Sequence, residues 1–499
     1  MRFNGQIKQS VSFSFWKTQA VCIGLLVFFL VSGCRKGEVN PGELPETKIF
    51  LDQIQLPDSL RLSTVVKLHW TGFVQKAYIT GFEISLDGSN WAYTPRYDST
   101  FVFTVPPGNQ IADISFFVRA LDNYGRKDPS PAFLKVPVQN TPPTITLQDT
   151  LADTVKTVFS LSWQMNDADG IETLDSVEIR INTGPWVSLP PATSLVTLIP
   201  NQPEATGSVL LNVLRGPNGL SWSQQVSGAQ MEAVNQISIR GKDKSGAYSN
   251  EIQTASFFLQ RKRGDLLVID AFPSDLAARN LFQSSVSSVV NNYDFVSLLD
   301  NNRKYQPKYW NIAFKEWLSL YDKVFWYSNK NAYNSEAKPE SGLLLETAAQ
   351  AFQEYLNQGG KLLVVSSLPA LDTNYNFIST SPVFTLLPID TLSTSVGQAR
   401  LSTDSLVLAA SGSGYPNLTP SQFLTGISSF HPRTGSEVLY EAQLTPFQGW
   451  IGPKVTGARQ RGNNGKVQLI YFSLDMHLLN KGNNMTQFFQ QAFNSDFNW

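Results

Sequence analysis

The strongest constraint on the fold is an internal duplication. "LHW" at 68–70 recurs as "LSW" at 161–163, and "GFEISLDGSNW", ending at Trp91, recurs as "SVEIRINTGPW", ending at Trp186. "FVRALDNYG" (117–125) returns as "SIRGKDKSG" (238–246), which sets Arg119, Asp122 and Gly125 against Arg240, Asp243 and Gly246. The offset grows from 93 residues (68 to 161) to 121 (117 to 238), so the second copy carries an insertion of loop or hairpin around "TLIPNQPEATG" to "RGPNGLSWSQ". A segment that occurs twice is one structural module used twice. Each copy consists of short alternating runs such as "VVKLHW", "FEISLD" and "ISFFVRA", broken by Gly, Asn, Asp and Pro, the pattern of an antiparallel sandwich. "NTPPTI" (140–145) is the linker, because consecutive prolines supply no ladder donors and favour an extended chain.

With the early strand tryptophans Trp70 and Trp163 and the "R-A-x-D-x-x-G" style ending, residues 46–140 and 141–260 resemble fibronectin type III or related immunoglobulin-like domains. At "RKRGDLLVIDAF" the texture changes. Continuous apolar runs, "DLLVID" (265–270), "YDFVSLL" (293–299), "DKVFWYS" (322–328) and "GKLLVVSS" (360–367), imply strands covered on both faces, hence a mostly parallel sheet. Helical patterns alternate with them. Trp310, Phe314, Trp317 and Tyr321 fall on one helix face. "SGLLLETAAQAFQEYLNQGG" is a second helix, with Ser341 as N-cap and Gly359 as stop. The strand "KVQLIYFSLD" and a helix through "NMTQFFQQAF" close the chain.

A helix ending in "GG" before "KLLVV", and a final strand leading into "YFSLDMH", resemble the class I glutamine amidotransferase-like fold over residues 264–499. The expected architecture is therefore multidomain: two all-β immunoglobulin-like sandwiches followed by an α/β flavodoxin-like domain. A length of 499 residues fits roughly three domains of about 150 residues each.

The first 33 residues read as a lipoprotein signal. Arg2, Lys8 and Lys17 precede "AVCIGLLVFFLV", twelve apolar residues that suit a signal core and are too few to span a bilayer as a helix. "VSGC" resembles a bacterial lipobox, which implies lipid on Cys34 and a membrane partner through that lipid, with residues 34–45 as a flexible tether. Arg35 after the cysteine, in place of the aspartate of inner-membrane retention, favours the outer membrane, and the lack of an acidic run favours its periplasmic face. Taken together, the chain resembles a Bacteroidota-type lipoprotein, and that resemblance implies an envelope location. With Cys22 cleaved off and Cys34 lipidated, no thiol is left as nucleophile or disulfide partner. Lys plus Arg (39) balance Asp plus Glu (40) without a basic stripe, so nothing points to nucleic acid.

The resemblance implies a nucleophile after a central strand and a histidine after a later one. These positions fall on Ser366 or Ser367 and on His477, with Asp475 or Asp270 as a carboxylate to orient the base and Leu479 where the family has glutamate. The readings differ over His477: a catalytic base, or a structural ring at a polar strand end. "VVSSLPALD" lacks the flanking glycines of a strained nucleophile elbow, which favours the second. His431 in "SSFHPRTG" is a coincidental match. Asp270, Trp326, Tyr327, Ser328 and Asn329 end neighbouring strands and form the expected rim of a ligand pocket. "NDADG" (166–170) with Glu172 offers Asp167, Asp169 and Glu172 as oxygen ligands for calcium, against a simple β-turn. The expected function is non-catalytic: an envelope lipoprotein that binds or scaffolds a glycan or another envelope protein. The alternatives are a serine hydrolase and a carbohydrate-binding accessory of a polysaccharide-uptake system.

Overall fold

The computed structural model describes residues 42–51, 61–106, 108–148, 150–272, 276–298, 312–330, 343–369, 380–392 and 397–498. The signal segment, Cys34, Trp310 and Ser341 lie outside them. Among the described residues no helix is long and apolar enough to cross a membrane. The chain divides into two compact units, the first ending at Pro137 and the second running from Val138 to the C-terminus and including 61–65 and 102–112.

The first module is a three-on-four sandwich. Strands Glu46–Leu51, Val65–Phe73 and Asp98–Val102 form one sheet, and Ala92–Thr94, Ile79–Ser85, Ile111–Asp122 and Ala132–Gln139 the other. This is the strand arrangement of a fibronectin type III-like module. Trp70 fills its core, 6.2 Å from both Phe82 and Phe116 between ring centroids, and its indole donates to the Arg96 carbonyl at 2.8 Å.

The letters shared by the two copies mark a cross-strand ladder and a turn. Glu83 faces Arg119 across the sheet, as Glu178 faces Arg240, each pair at 2.6 Å. The guanidiniums lie over Trp91 at 4.0 Å and Trp186 at 4.2 Å. Asp122 and Asp243 accept the amides of Arg126 (2.9 Å) and Ala247 (2.8 Å), closing turns in which Gly125 and Gly246 take φ of 74° and 84°. Only glycine adopts that conformation without cost.

Burial would raise the Glu83 carboxyl, but Lys127 and Arg119 outweigh it and hold it below the ordinary range. A carboxyl lowered on folding contributes stability above its unfolded pKa, and that contribution is lost as pH falls through the folded value. Glu83→Gln should therefore cost about 1 kcal/mol at pH 7, and thermal melts of the two proteins should converge as pH falls through the lowered folded value. A gap that persists in acid would assign the loss to packing instead.

In the second module, strands Thr144–Leu147, Phe159–Asn166 and Leu195–Pro200 continue into a hairpin, Gly207–Arg215 and Leu220–Met231, making a five-stranded sheet. The second sheet joins Val187–Leu189, Leu174–Ile181, Ile237–Asp243 and Ile252–Gln253. At the hairpin tip a Cβ on Gly219 would meet Ile312 Cγ1 at 2.9 Å. Val158, between the strands Thr154–Lys156 and Phe159–Asn166, is fully buried in the hydrophobic cluster of the domain that follows, and Ile199 packs against it. Near this junction the Asp294 carboxylate accepts from the Tyr321 hydroxyl (2.9 Å) and the Arg263 amide (2.8 Å), and burial pushes its pKa up.

The last domain is built on an eight-stranded sheet. Its strands in chain order are β1 (Leu266–Ala271), β2 (Asp294–Ser297), β3 (Lys323–Ser328), β4 (Lys361–Ser366), β5 (Val407–Ala409), β6 (Glu437–Ala442), β7 (Val455–Arg461) and β8 (Val467–Phe472). The spatial order is β2-β1-β3-β4-β8-β7-β6-β5, with β2 through β8 parallel and the remaining three antiparallel. The expected mostly parallel sheet thus gains an antiparallel wing, built from chain inserted between β4 and β8.

Helices cover both faces. Helices α2 (Ile312–Leu318) and α3 (Leu344–Asn357) bury Phe314, Trp317 and Phe352 on one side, while α1 (Leu276–Ser287) and α4 (Met485–Gln490) bury Phe282, Phe488 and Phe489 on the other. The "GG" after α3 has two separate causes. Gly359 takes φ 95°, and a Cβ on Gly360 would sit 2.2 Å from the Tyr355 ring.

Candidate functional site

Because β1, β3 and β4 are in parallel register, their carboxyl ends form one edge: Asp270 pairs with Ser297, Ala271 with Ser328, and Ser328 with Ser366. That edge is where open α/β sheets hold ligands. The side chains along it fall into three groups.

The first is a chain of hydroxyls on the α3 face. The Trp326 indole donates to Ser328 Oγ at 2.9 Å, Ser328 and Ser366 share a hydrogen bond at 2.8 Å, and the Tyr471 hydroxyl donates to the Ser366 carbonyl at 3.0 Å. Ser366 is 1% exposed. One strand over, the Ser473 amide donates to the Thr456 carbonyl at 2.8 Å. The hydroxyls of Ser473, Thr456 and Ser429 are fully buried with no hydrogen-bond partner among the described residues. A buried polar atom of this kind costs about 1–3 kcal/mol. Sequence reasoning missed these three, since a lone Ser or Thr at a strand end looks like any turn residue.

The second group joins Ser367 to Asp475. Ser367 Oγ donates to Asp475 Oδ1 at 2.8 Å and accepts the Lys330 amide at 3.1 Å, beside half-buried Asn329. The third is an ion pair inside the sheet edge. Asp270, 1% exposed, accepts two 2.7 Å contacts on Oδ2, from Nε and Nη2 of Arg279, and the Phe272 amide at 3.0 Å on Oδ1. Arg279 also donates to Ser297 Oγ at 2.9 Å. Its only signal in the sequence was a single arginine on α1, nine residues after Asp270. The Tyr327 hydroxyl lies near this pair; burial first, and the Asp270 charge second, push its pKa up and keep it protonated.

The residues proposed as a pocket rim divide between the two cores. Trp326 is fully buried against Phe352 (5.3 Å) on the α3 face, and Tyr327 is fully buried against Phe282 (4.7 Å) on the α1 face. Neither ring presents a face to solvent. A strand covered on both sides sends alternate residues into opposite cores, so standing near a strand end did not make these rings accessible.

His477 sits in the single turn Met476–Leu479 after β8. Its ring packs edge-on to Phe272 at 5.1 Å and Phe282 at 6.4 Å, and Leu479 is buried in the same cluster. The serine hydroxyls are bonded to Ser328 and to Asp475. A nucleophilic serine needs a base within hydrogen-bond reach, itself oriented by a third group. What this edge offers is a neutral chain of hydroxyls beside a carboxylate already engaged by a serine. His431 lies exposed on the short strand Phe430–Pro432, paired with Ile389–Leu392.

In the second module Asp167 Oδ1 accepts the Asp169 amide at 2.8 Å, and Asp169 accepts the amides of Thr141 (2.7 Å) and Thr64 (3.4 Å). Asp169 thus caps chain segments, and Glu172 is exposed on the neighbouring short helix. Among the described residues no group of three His, Cys, Asp or Glu side chains converges for a metal.

No protein-family model and no curated protein matches the sequence. Among solved structures, the fibronectin(III)-like modules of Clostridium thermocellum CbhA align at 13% identity over 43% of this chain and 94% of theirs, with a TM-score of 0.18. The FN1–FN3 domains of chicken CNTN1 align at 11% identity over 41% and 97%, with a TM-score of 0.14. A tetra-tandem repeat from the extending region of a large adhesion protein aligns at 13% over 43% and 49%, with a TM-score of 0.20. Superpositions this loose carry no function, and the fibronectin type III-like assignment stands on the strand order of the modules.

Proposed function

We propose that this chain is a non-catalytic lipoprotein of the bacterial outer membrane, held by lipid on Cys34. Its fibronectin type III-like modules carry a flavodoxin-like domain of the amidotransferase-like type that binds or scaffolds a glycan or envelope protein. The lipobox-like "VSGC" supports the anchor. The parallel order β2-β1-β3-β4-β8 supports the flavodoxin-like reading, since renumbering those five strands in sequence gives 2-1-3-4-5. The observation that supports the non-catalytic role is the state of the two candidate serines: Ser366 is sealed from solvent and bonded to Ser328, Ser367 donates to Asp475, and the histidine expected to activate either packs on two phenylalanines.

A serine hydrolase is the second reading. The 2.8 Å contact between Ser367 and Asp475 is the observation in its favour. A fluorophosphonate probe separates the two. On the purified protein we expect no labelling above that of a Ser366→Ala/Ser367→Ala control. Stoichiometric labelling of either serine that disappears in His477→Ala or Asp475→Asn would overturn the non-catalytic role.

A further inference from the structure

The opposite end of the sheet holds a feature built from residues far apart in sequence. Where β4 and β8 begin, the last turn of α3, the short helix Val383–Leu386, Arg433 and the turn joining β7 to β8 enclose a cleft of about 360 Å³. That volume is within the range of small-molecule sites. Its polar lining is dominated by amides: Gln353 and Asn357 from α3, and Gln460, Asn463 and Gln468 from the hairpin. Neither an aspartate or glutamate nor an aromatic ring is among the described residues that line it.

Two arginines reach this cleft in different electrostatic states. Glu437 matches the charge of Arg461 with a 2.5 Å contact. Arg433 has no carboxylate within ion-pair distance among the described residues. Its guanidinium is held by the carbonyls of Thr385 (3.2 Å) and Phe384, which leaves three of its five N–H donors for a ligand.

The chemistry of the lining selects among ligands. A primary amide offers a donor and an acceptor in one plane, the pattern presented by neighbouring hydroxyls. A guanidinium fixed in place matches a carboxylate through paired N–H donors. Without an aromatic platform the cleft has nothing for a nucleobase to stack on. We infer that the cleft binds an acidic saccharide, with Arg433 taking the carboxylate of a uronic-acid unit and the amides its hydroxyls. This gives the binding reading a ligand class and rests on it for biological meaning. The site itself is independent of the serine question, because β4 spans six residues and sets the cleft about 20 Å from the strand-end hydroxyls.

The test is calorimetric titration of the full mature chain with a galacturonic-acid trisaccharide, a neutral galactose trisaccharide and a short Asp/Glu peptide. The expected result is binding of the uronate alone, weakening with added salt and by about tenfold in Arg433→Gln. Asn463→Ala, on the exposed turn and without a side-chain bond among the described residues, should weaken it about threefold by the loss of one hydrogen bond, so the outcome does not hang on how Arg433→Gln folds. Failure of the uronate to bind, equal binding of the neutral sugar, binding of the peptide in its place, or uronate binding unchanged in both variants would each overturn the assignment. A protein that labels with the fluorophosphonate yet still binds uronate through Arg433 would lose the non-catalytic role and keep the site.

Discussion

Trp326→Ala is expected to lower the unfolding free energy by about 3–5 kcal/mol, the cost of emptying a fully buried aromatic site. The indole is fully buried, its ring meets Phe352 edge-on at 5.3 Å, and its nitrogen donates to Ser328. Truncation opens a cavity between β3 and α3 and removes a donor from the buried hydroxyl chain. Trp326→Phe should recover most of the packing and retain the loss of one hydrogen bond, about 1 kcal/mol. Urea denaturation reads both values. A loss below about 1 kcal/mol for the alanine variant would mean the ring is accessible and would restore Trp326 to a ligand surface.

Arg279→Ala should cost about 3–5 kcal/mol as well, by a different route, because withdrawing the cation from a buried pair strands the carboxylate. Asp270 is 1% exposed and receives both guanidinium contacts on one oxygen. The double variant Asp270→Asn/Arg279→Met should regain most of that loss, since replacing both partners removes the charge together with its counterion. If the single and double variants are equally unstable in urea, the stabilisation comes from the shape of Arg279 and not from its charge.

Trp326 and Asp270 are positions that sequence reasoning placed at a ligand rim, whereas Arg279 was not, and the physical reasons differ. Alternation of period two was legible in the sandwiches, where one face of each sheet is wet, and the duplicated Glu, Trp, Arg and Asp-x-x-Gly letters correspond to one ladder and one turn in each copy. In β3 the run "KVFWYS" is buried at every residue, so the pattern that identifies the strand carries no information about which side chains a ligand could reach. The short strands around the antiparallel wing, unlike its six- and seven-residue strands β6 and β7, were illegible for another reason. Several strands in the inserted chain are two to four residues long, and periodicity cannot be read in so short a run. Arg433, two residues after His431 in "FHPRTG", carries no signal in the sequence, because it gains meaning only when α3 and the β7–β8 turn are brought to it.

Val158 has a consequence for how this protein comes apart. It belongs by chain order to the second sandwich and by packing to the core of the α/β domain, where it is fully buried. The hairpin tip at Gly219 reaches Ile312 of that same domain. Melting either fold alone would strip apolar surface from the other, so their free energies of unfolding are coupled. The chain near residue 262 looks in sequence like a seam, yet a protein cut there would bring each half into water with part of its partner's interior exposed. The smallest piece that keeps this interface intact begins at the "NTPPTI" linker.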